Sequence, residues 1–286
     1  MSEYGNKLHE QLKYAAEIIQ SADAVLIGGG SGISSAAGYN HYHHNKIFIE
    51  HFSDFENAYG IQNLFQGFYY VYSTPEQQWG FYSRYIQFMY EMPVGNPYIK
   101  LKELLKDKDY FILTTNADIQ FPRAFPEERL FQFQGDFLYF QCCQPCHDKL
   151  YDNRELIKTM LSHMNNLQVP EPYIPRCPEC GWRMIPWVRD NTFLTGNDWN
   201  AGHERYVAFL KKYRDKKIVL LELGVGEMTP SIIKFPFWEI TADNQDAFLI
   251  MVNQNKNSRP EQLGNKAMAI AMDIGEFLSE IGGFIR

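Results

Sequence analysis

The sequence predicts a doubly wound, mostly parallel α/β sheet that carries a small four-cysteine zinc module and a helical insert. Three observations lead there. Short apolar runs end repeatedly in glycine or polar residues, amphipathic stretches separate them, and two CxxC pairs interrupt the alternation after its third run.

In chain order, residues 6–20 place Leu8, Leu12, Ala15, Ala16 and Ile19 at helical spacing, and the run from Ala24 to Ile27 stops at Gly28. This reads as a helix followed by a buried strand. Residues 48–92 are dense in Tyr and Phe, which predicts a helical, aromatic-walled insert over about 40–95. An amphipathic stretch at 97–106 then leads to the run at 110–115, and a further run covers 130–133. After the cysteine segment come an amphipathic stretch at 202–213, a run at 217–224, a run at 248–253 and a last amphipathic stretch at 266–282. The predicted boundaries are 1–136 for the first part of the sheet domain, 137–190 for the zinc module and 191–286 for the second part.

The 286 residues, 45% of them hydrophobic, suffice for one large domain and a small one. No stretch reaches the roughly 18 to 20 apolar residues of a membrane span, and the N-terminal residues carry no apolar signal core, so a cytoplasmic protein is expected. A net charge of −7 without a dense Lys/Arg cluster argues against nucleic acid as partner.

Cys143/Cys146 and Cys177/Cys180 are two thiolate pairs about 30 residues apart, a spacing that completes a tetrahedral zinc site. Four cysteine ligands leave no open position, so the metal is expected to staple a ribbon and do no chemistry. Cys142 is the fifth cysteine and offers itself as a substitute for its neighbour, with the poorer CxxxC spacing to Cys146.

Ligands of doubly wound sheets bind where loops leave the carboxyl ends of the strands. Here those loops are Gly28-Gly29-Gly30-Ser31-Gly32-Ile33-Ser34, Thr114-Thr115-Asn116-Ala117-Asp118, Gln134-Gly135-Asp136, Gly224-Val225-Gly226-Glu227 and the loop containing Asn253. The glycines of the first would let backbone N–H groups approach a diphosphate, although the register does not match GxGxxG. In order and spacing, from about residue 10 to the end, the ensemble resembles the sirtuins. That family has a GAGxSxxSGIPDFR loop, a TQNxD loop, a His-Gly before the first CxxC, a second CxxC, a GTS loop and a late Asn on the adenosine side.

The resemblance implies a Rossmann-like fold that binds NAD and cleaves its nicotinamide–ribose bond. It implies NAD contacts from Gly30, Ser31, Gly32, Ser34, Asn116, Asp118, Gln134, Gly224, Val225, Gly226 and Asn253, with Asn116 on the nicotinamide ribose and Asp118 on the carboxamide. Preorganised polar groups there would stabilise an oxocarbenium-like ribose. Where the family's deacylases have a His base, this chain has Gln134, whose amide cannot take a proton near neutral pH. The family's IPDFR segment reads Tyr39-Asn40-His41-Tyr42-His43 here, without its Asp and Arg. The combination is similar to the macrodomain-linked, class M, microbial sirtuins, which act as protein mono-ADP-ribosyltransferases. That likeness implies catalysis by Asn116 and Gln134, a lipoylated glycine cleavage H-like carrier as acceptor, and a macrodomain hydrolase acting on the product.

His41, His43, His44 and His51 read as surface histidines of a loop, with the alternative that His41 or His43 faces the NAD ribose and supplies the missing base. The aromatic stretch from Leu64 to Tyr90 reads as helical packing that could also wall an apolar arm. Trp187, Val188 and Arg189 occupy the place of the family's substrate-facing PxVV segment. A residual deacylase and a non-catalytic NAD or ADP-ribose sensor are the rival functions.

Overall fold

The computed structural model describes residues 3–254 and 259–285. Its strands are β1 (Ala24–Gly29), β2 (Asp109–Thr114), β3 (Leu130–Gln132), β4 (Gly135–Cys142), β5 (Tyr151–Asp152), β6 (Met184–Val188), β7 (Ile218–Leu223), β8 (Phe248–Asn253) and β9 (Ala267–Ala271). Its α-helices are α1 (Glu3–Ser21), α2 (Ser31–Ala36), α3 (Lys46–Tyr59), α4 (Leu64–Tyr69), α5 (Pro75–Glu91), α6 (Asn96–Leu104), α7 (Gln120–Ala124), α8 (Arg154–His163), α9 (Asn197–Lys212), α10 (Lys234–Asp243) and α11 (Ile274–Gly282).

Six strands form one parallel sheet in the order β3-β2-β1-β7-β8-β9. β1 and β7, at its centre, are buried at every position, so they read as continuous apolar runs. Their side chains nevertheless alternate between two cores. Val25, Ile27, Val219 and Leu221 pack towards α1, α6 and α11, whereas Leu26, Phe111, Leu220 and Met251 pack with Phe209 of α9 and Phe237 of α10. Helices on both faces make the sheet doubly wound, as the sequence predicts.

The stretch at 266–282 is not one amphipathic segment. β9 takes its first part as an edge strand against β8, and α11 begins after Asp273, whose carboxylate accepts from the backbone N–H groups of Gly275 and Glu276. That N-cap separates strand from helix within two residues.

The insert consists of α3, α4 and α5, each opened by a side-chain cap, from Asn45, Asn63 and Thr74. Phe48, Phe52, Phe55, Phe81 and Phe88 fill its interior and share one core with Phe137 and Phe140 of β4. β4 is the middle strand of the small antiparallel sheet β5-β4-β6, so the insert and the cysteine module are one packed body. His51 lies within α3 rather than in a loop. Among the described residues no helix is long and apolar enough to cross a membrane.

Candidate active site

The strand order reverses between β1 and β7, which lie side by side. At such a switch point two loops diverge and leave a crevice at the carboxyl ends of the strands. Here the loops are held unusually close. A Cβ on Gly30 would lie 2.5 Å from the Gly224 carbonyl oxygen, and one on Gly32 would lie 2.5 Å from Gly224 Cα. Gly224 itself has φ +64°, in the left-handed region. The N–H groups of Gly30 and Gly32 donate to Leu223 O and Gly224 O, both at 3.0 Å. These two glycines therefore serve loop–loop contact, and their N–H groups are already engaged. Asn253 closes the far side, its Nδ2 donating to Val225 O at 3.4 Å, while a Cβ on Gly226 would meet nothing within 4 Å among the described residues.

The loop after β2 crosses onto this floor. Thr114 Oγ1 donates to Gly29 O at 2.9 Å and accepts from Asn116 N at 3.0 Å. Asn116 Nδ2 donates to Gly30 O at 2.9 Å and to Ser34 Oγ at 3.1 Å. Ser34 in turn donates to Asp118 Oδ2 and lies 3.1 Å from the Tyr98 hydroxyl. Asn116, Ser34 and Asp118 are all buried, so one hydrogen-bonded chain ties the first two loops together. Ile119, directly after Asp118, is a buried β-branched residue at φ 58°. Such a conformation costs about 1–3 kcal/mol and persists only where the surroundings impose it.

These groups open into a cleft lined by Ser31, Ser34, Asn116, Asp118 and Gln134, with His41 and an aromatic wall of Tyr42, Phe65, Phe68, Tyr69, Tyr85 and Phe137. The aromatic stretch is thus both helical packing and cleft wall. Gln134 sits in the turn between β3 and β4, and its backbone carbonyl accepts from Arg189 N at 3.0 Å. Arg189 is held over the rings of Phe133, Phe193 and Trp199, whereas Val188 lines the cleft. Gln132 and Asp136 line a separate cavity with Trp187 and Trp199. Burial pushes the Asp136 carboxyl up to about 7, against hydrogen bonds from Leu138 N and Gln132.

The histidines divide. His43 is exposed on Asn40, and His44 is exposed on Glu56. His41 instead turns inward: its Nδ1 lies 2.8 Å from the Tyr85 hydroxyl and its Nε2 lies 3.9 Å from Asp118 Oδ2. Burial lowers its pKa, opposed by Asp118. The surface reading thus fails for His41, and nothing in its sequence neighbourhood distinguishes it from His43. Tyr85 and Tyr98 are further site residues hidden among the many tyrosines of the chain.

No protein-family model matches the chain. It is 32% identical, over 94% of its length and 86% of the relative's, to a curated protein ADP-ribosyltransferase of Staphylococcus aureus. A probable bifunctional ADP-ribose hydrolase/ADP-ribosyltransferase of Fusarium oxysporum is 30% identical over 79% of the chain, which spans only 39% of that protein. Among solved structures, one from a study of sirtuin substrate affinity matches 94% of this chain and 97% of its own, with a TM-score of 0.61 and 18% identity. A Sir2 homolog–NAD complex matches 96% and 93%, with a TM-score of 0.62 and 14% identity.

The chain belongs to the family of protein ADP-ribosyltransferases and has the sirtuin fold.

In this protein the cysteine module departs from the spacing-based ligand set. Cys142, Cys146, Cys177 and Cys180 bring their sulfurs within 4.8 Å of one another, and Cys143 is outside the group. Successive residues of a strand face opposite ways. Cys142 ends β4 with its sulfur 3.6 Å from that of Cys180, while Cys143 donates its backbone N–H to Arg183 O at 3.1 Å. Cys146 and Cys177 are also 3.6 Å apart. Tetrahedral zinc with bonds near 2.3 Å holds its sulfurs about 3.8 Å apart, so the four residues fit that ion and leave it no open position. When bound, the ion cross-links the end of β4 to the Cys177–Cys180 turn.

Proposed function

We propose that this protein is an NAD-dependent protein mono-ADP-ribosyltransferase. The observation that carries the reading is its 32% identity, over 94% of the chain, to a protein ADP-ribosyltransferase. The site supports it. A dinucleotide suits the crevice at the switch point, with the Gly224–Gly226 loop and Asn253 at one end and the Asn116–Asp118 loop at the other. Breaking the nicotinamide–ribose bond develops positive charge on the ribose. Asn116 Nδ2 is committed to Gly30 and Ser34, which leaves its Oδ1 as the atom to face that charge in a water-poor cleft. Gln134 lines the same cleft and cannot titrate, so it orients a ribose hydroxyl rather than taking a proton from it. This favours transfer to an external nucleophile over the deacylase route.

The acceptor in this reading is a side chain of a lipoylated glycine cleavage H-like carrier, with the aromatic wall receiving its apolar arm. A macrodomain hydrolase would act on the product, and the Fusarium relative, whose name joins both activities, supports that pairing. The test is nicotinamide release from NAD by the zinc-loaded protein, with and without the carrier, followed by the carrier's intact mass. A gain of one ADP-ribose unit is expected. Release without a mass gain would replace transfer by hydrolysis or another acceptor, acyl-ADP-ribose formation would indicate a deacylase, and tight NAD binding without release would indicate a sensor.

A further inference from the structure

We propose that His41 is a specificity residue that reads the carboxamide of the leaving base, its Nε2–H and the Asp118 carboxylate gripping the two ends of one primary amide. The inference rests on the NAD reading above and assigns a role to a side chain in the segment where this chain departs from the family's first loop motif.

The tautomer follows from the partner of Nδ1. The Tyr85 hydroxyl is buried 2.8 Å from His41 Nδ1, and its environment holds the phenol proton well above the ordinary range, burial being the main cause. A buried phenol donates when it can, so Tyr85 donates to Nδ1 and the imidazole proton resides on Nε2. Nε2 is withdrawn from solvent and has no hydrogen-bond partner among the described residues. The Asp118 oxygen is its nearest anionic neighbour, at 3.9 Å, beyond hydrogen-bond length. An unmet buried donor costs about 1–3 kcal/mol, and His41 is one of the residues that line the cleft.

Asp118 retains capacity. Its oxygens accept from Ser34 Oγ and Gln120 N, whereas a carboxylate offers about four lone-pair positions. A group placed between His41 and Asp118 must accept from the first and donate to the second. A primary carboxamide presents a carbonyl and an amino group side by side and does both. A carboxylic acid at the same place would be ionised and would bring like charge against Asp118. The pair therefore selects a nicotinamide leaving group over a nicotinate one.

The experiment measures affinities for NAD, nicotinic acid adenine dinucleotide and ADP-ribose in the wild-type protein, His41→Phe and His41→Gln. The wild type is expected to prefer NAD to the acid dinucleotide by about tenfold or more, and His41→Phe to lose about tenfold for NAD while holding ADP-ribose within about twofold, the worth of one buried hydrogen bond. His41→Gln, which keeps a donor, should recover part of the loss, and it replaces the Phe variant if that one melts early. Equal losses for NAD and ADP-ribose would make His41 a loop support and overturn the proposal. Unchanged NAD affinity in His41→Phe would overturn it as well. A wild type that binds neither dinucleotide would remove the NAD reading itself, and this inference with it.

Discussion

In the proposed reaction Asn116 is the residue on which the chemistry depends most directly. Its amide nitrogen is the knot between the Gly30 carbonyl and Ser34, so truncation removes a charge-facing oxygen and loosens two loops. Asn116→Ala is expected to lower transfer by at least about 100-fold, the scale of losing one preorganised electrostatic group, as read by carrier mass; full retained activity would remove Asn116 from the mechanism. The cysteines give a second residue-scale test. Cys142→Ser should release zinc in a chromogenic chelator assay and Cys143→Ser should not, because only the former sulfur belongs to the four-cysteine group. Retention of metal by Cys142→Ser and its loss from Cys143→Ser would restore the spacing-based assignment.

At the scale of elements, the glycines of the β1 and β7 loops have unequal duties. A methyl on Gly32 would lie 2.5 Å from backbone of the Gly224 loop, whereas a methyl on Gly226 would meet nothing within 4 Å among the described residues. Gly32→Ala must push two backbones apart and is expected to cost about 2–3 kcal/mol, the cost of overpacking, together with NAD affinity. Gly226→Ala should stay within about 0.5 kcal/mol. Urea denaturation of both variants checks the contrast, and equal midpoints would dissolve the argument. The strands themselves were legible because a parallel sheet covered on both faces needs unbroken apolar runs. β9 was not: AMAIA adjoins a helix of similar apolarity, and only pairing with β8 and the Asp273 cap divide them.

Over the whole molecule, two buried carboxylates set a pH dependence. Glu222 lies in β7 with both side-chain oxygens unpartnered among the described residues, and burial raises it from 4.5 to about 7, opposed by Lys234; Asp136 rises from 3.8 to about 7. A raised folded-state pKa contributes stability that is fully present below the unfolded value and lost as pH climbs through the folded one. Melting temperature should therefore fall between about pH 4.5 and 7 and level off above. Glu222→Gln should flatten part of that slope and raise stability at pH 8 by on the order of 3 kcal/mol; an unchanged slope would place Glu222 outside the effect. Zinc removal acts on the other body. Cys142 and Cys177 belong to the core shared by the small sheet and the insert, so chelation should abolish transfer while far-UV circular dichroism retains the six-stranded sheet.

The sequence by itself determined the alternation of strands and helices, the interruption by a cysteine module, and the loop residues Ser34, Asn116, Asp118 and Gln134 that meet in the cleft. These are written in local patterns, where apolar periodicity and glycine or amide residues after each run have few other uses. Tertiary structure decided which of two adjacent cysteines joins the metal group, because strand direction sets the face. It alone selected His41 from four histidines and Tyr85 from eighteen tyrosines, since packing α5 against the loop after α2 brings together residues 44 apart in the chain. It also showed Gly30 and Gly32 to be spacers between backbones, a duty that depends on what the loop after β7 places opposite them.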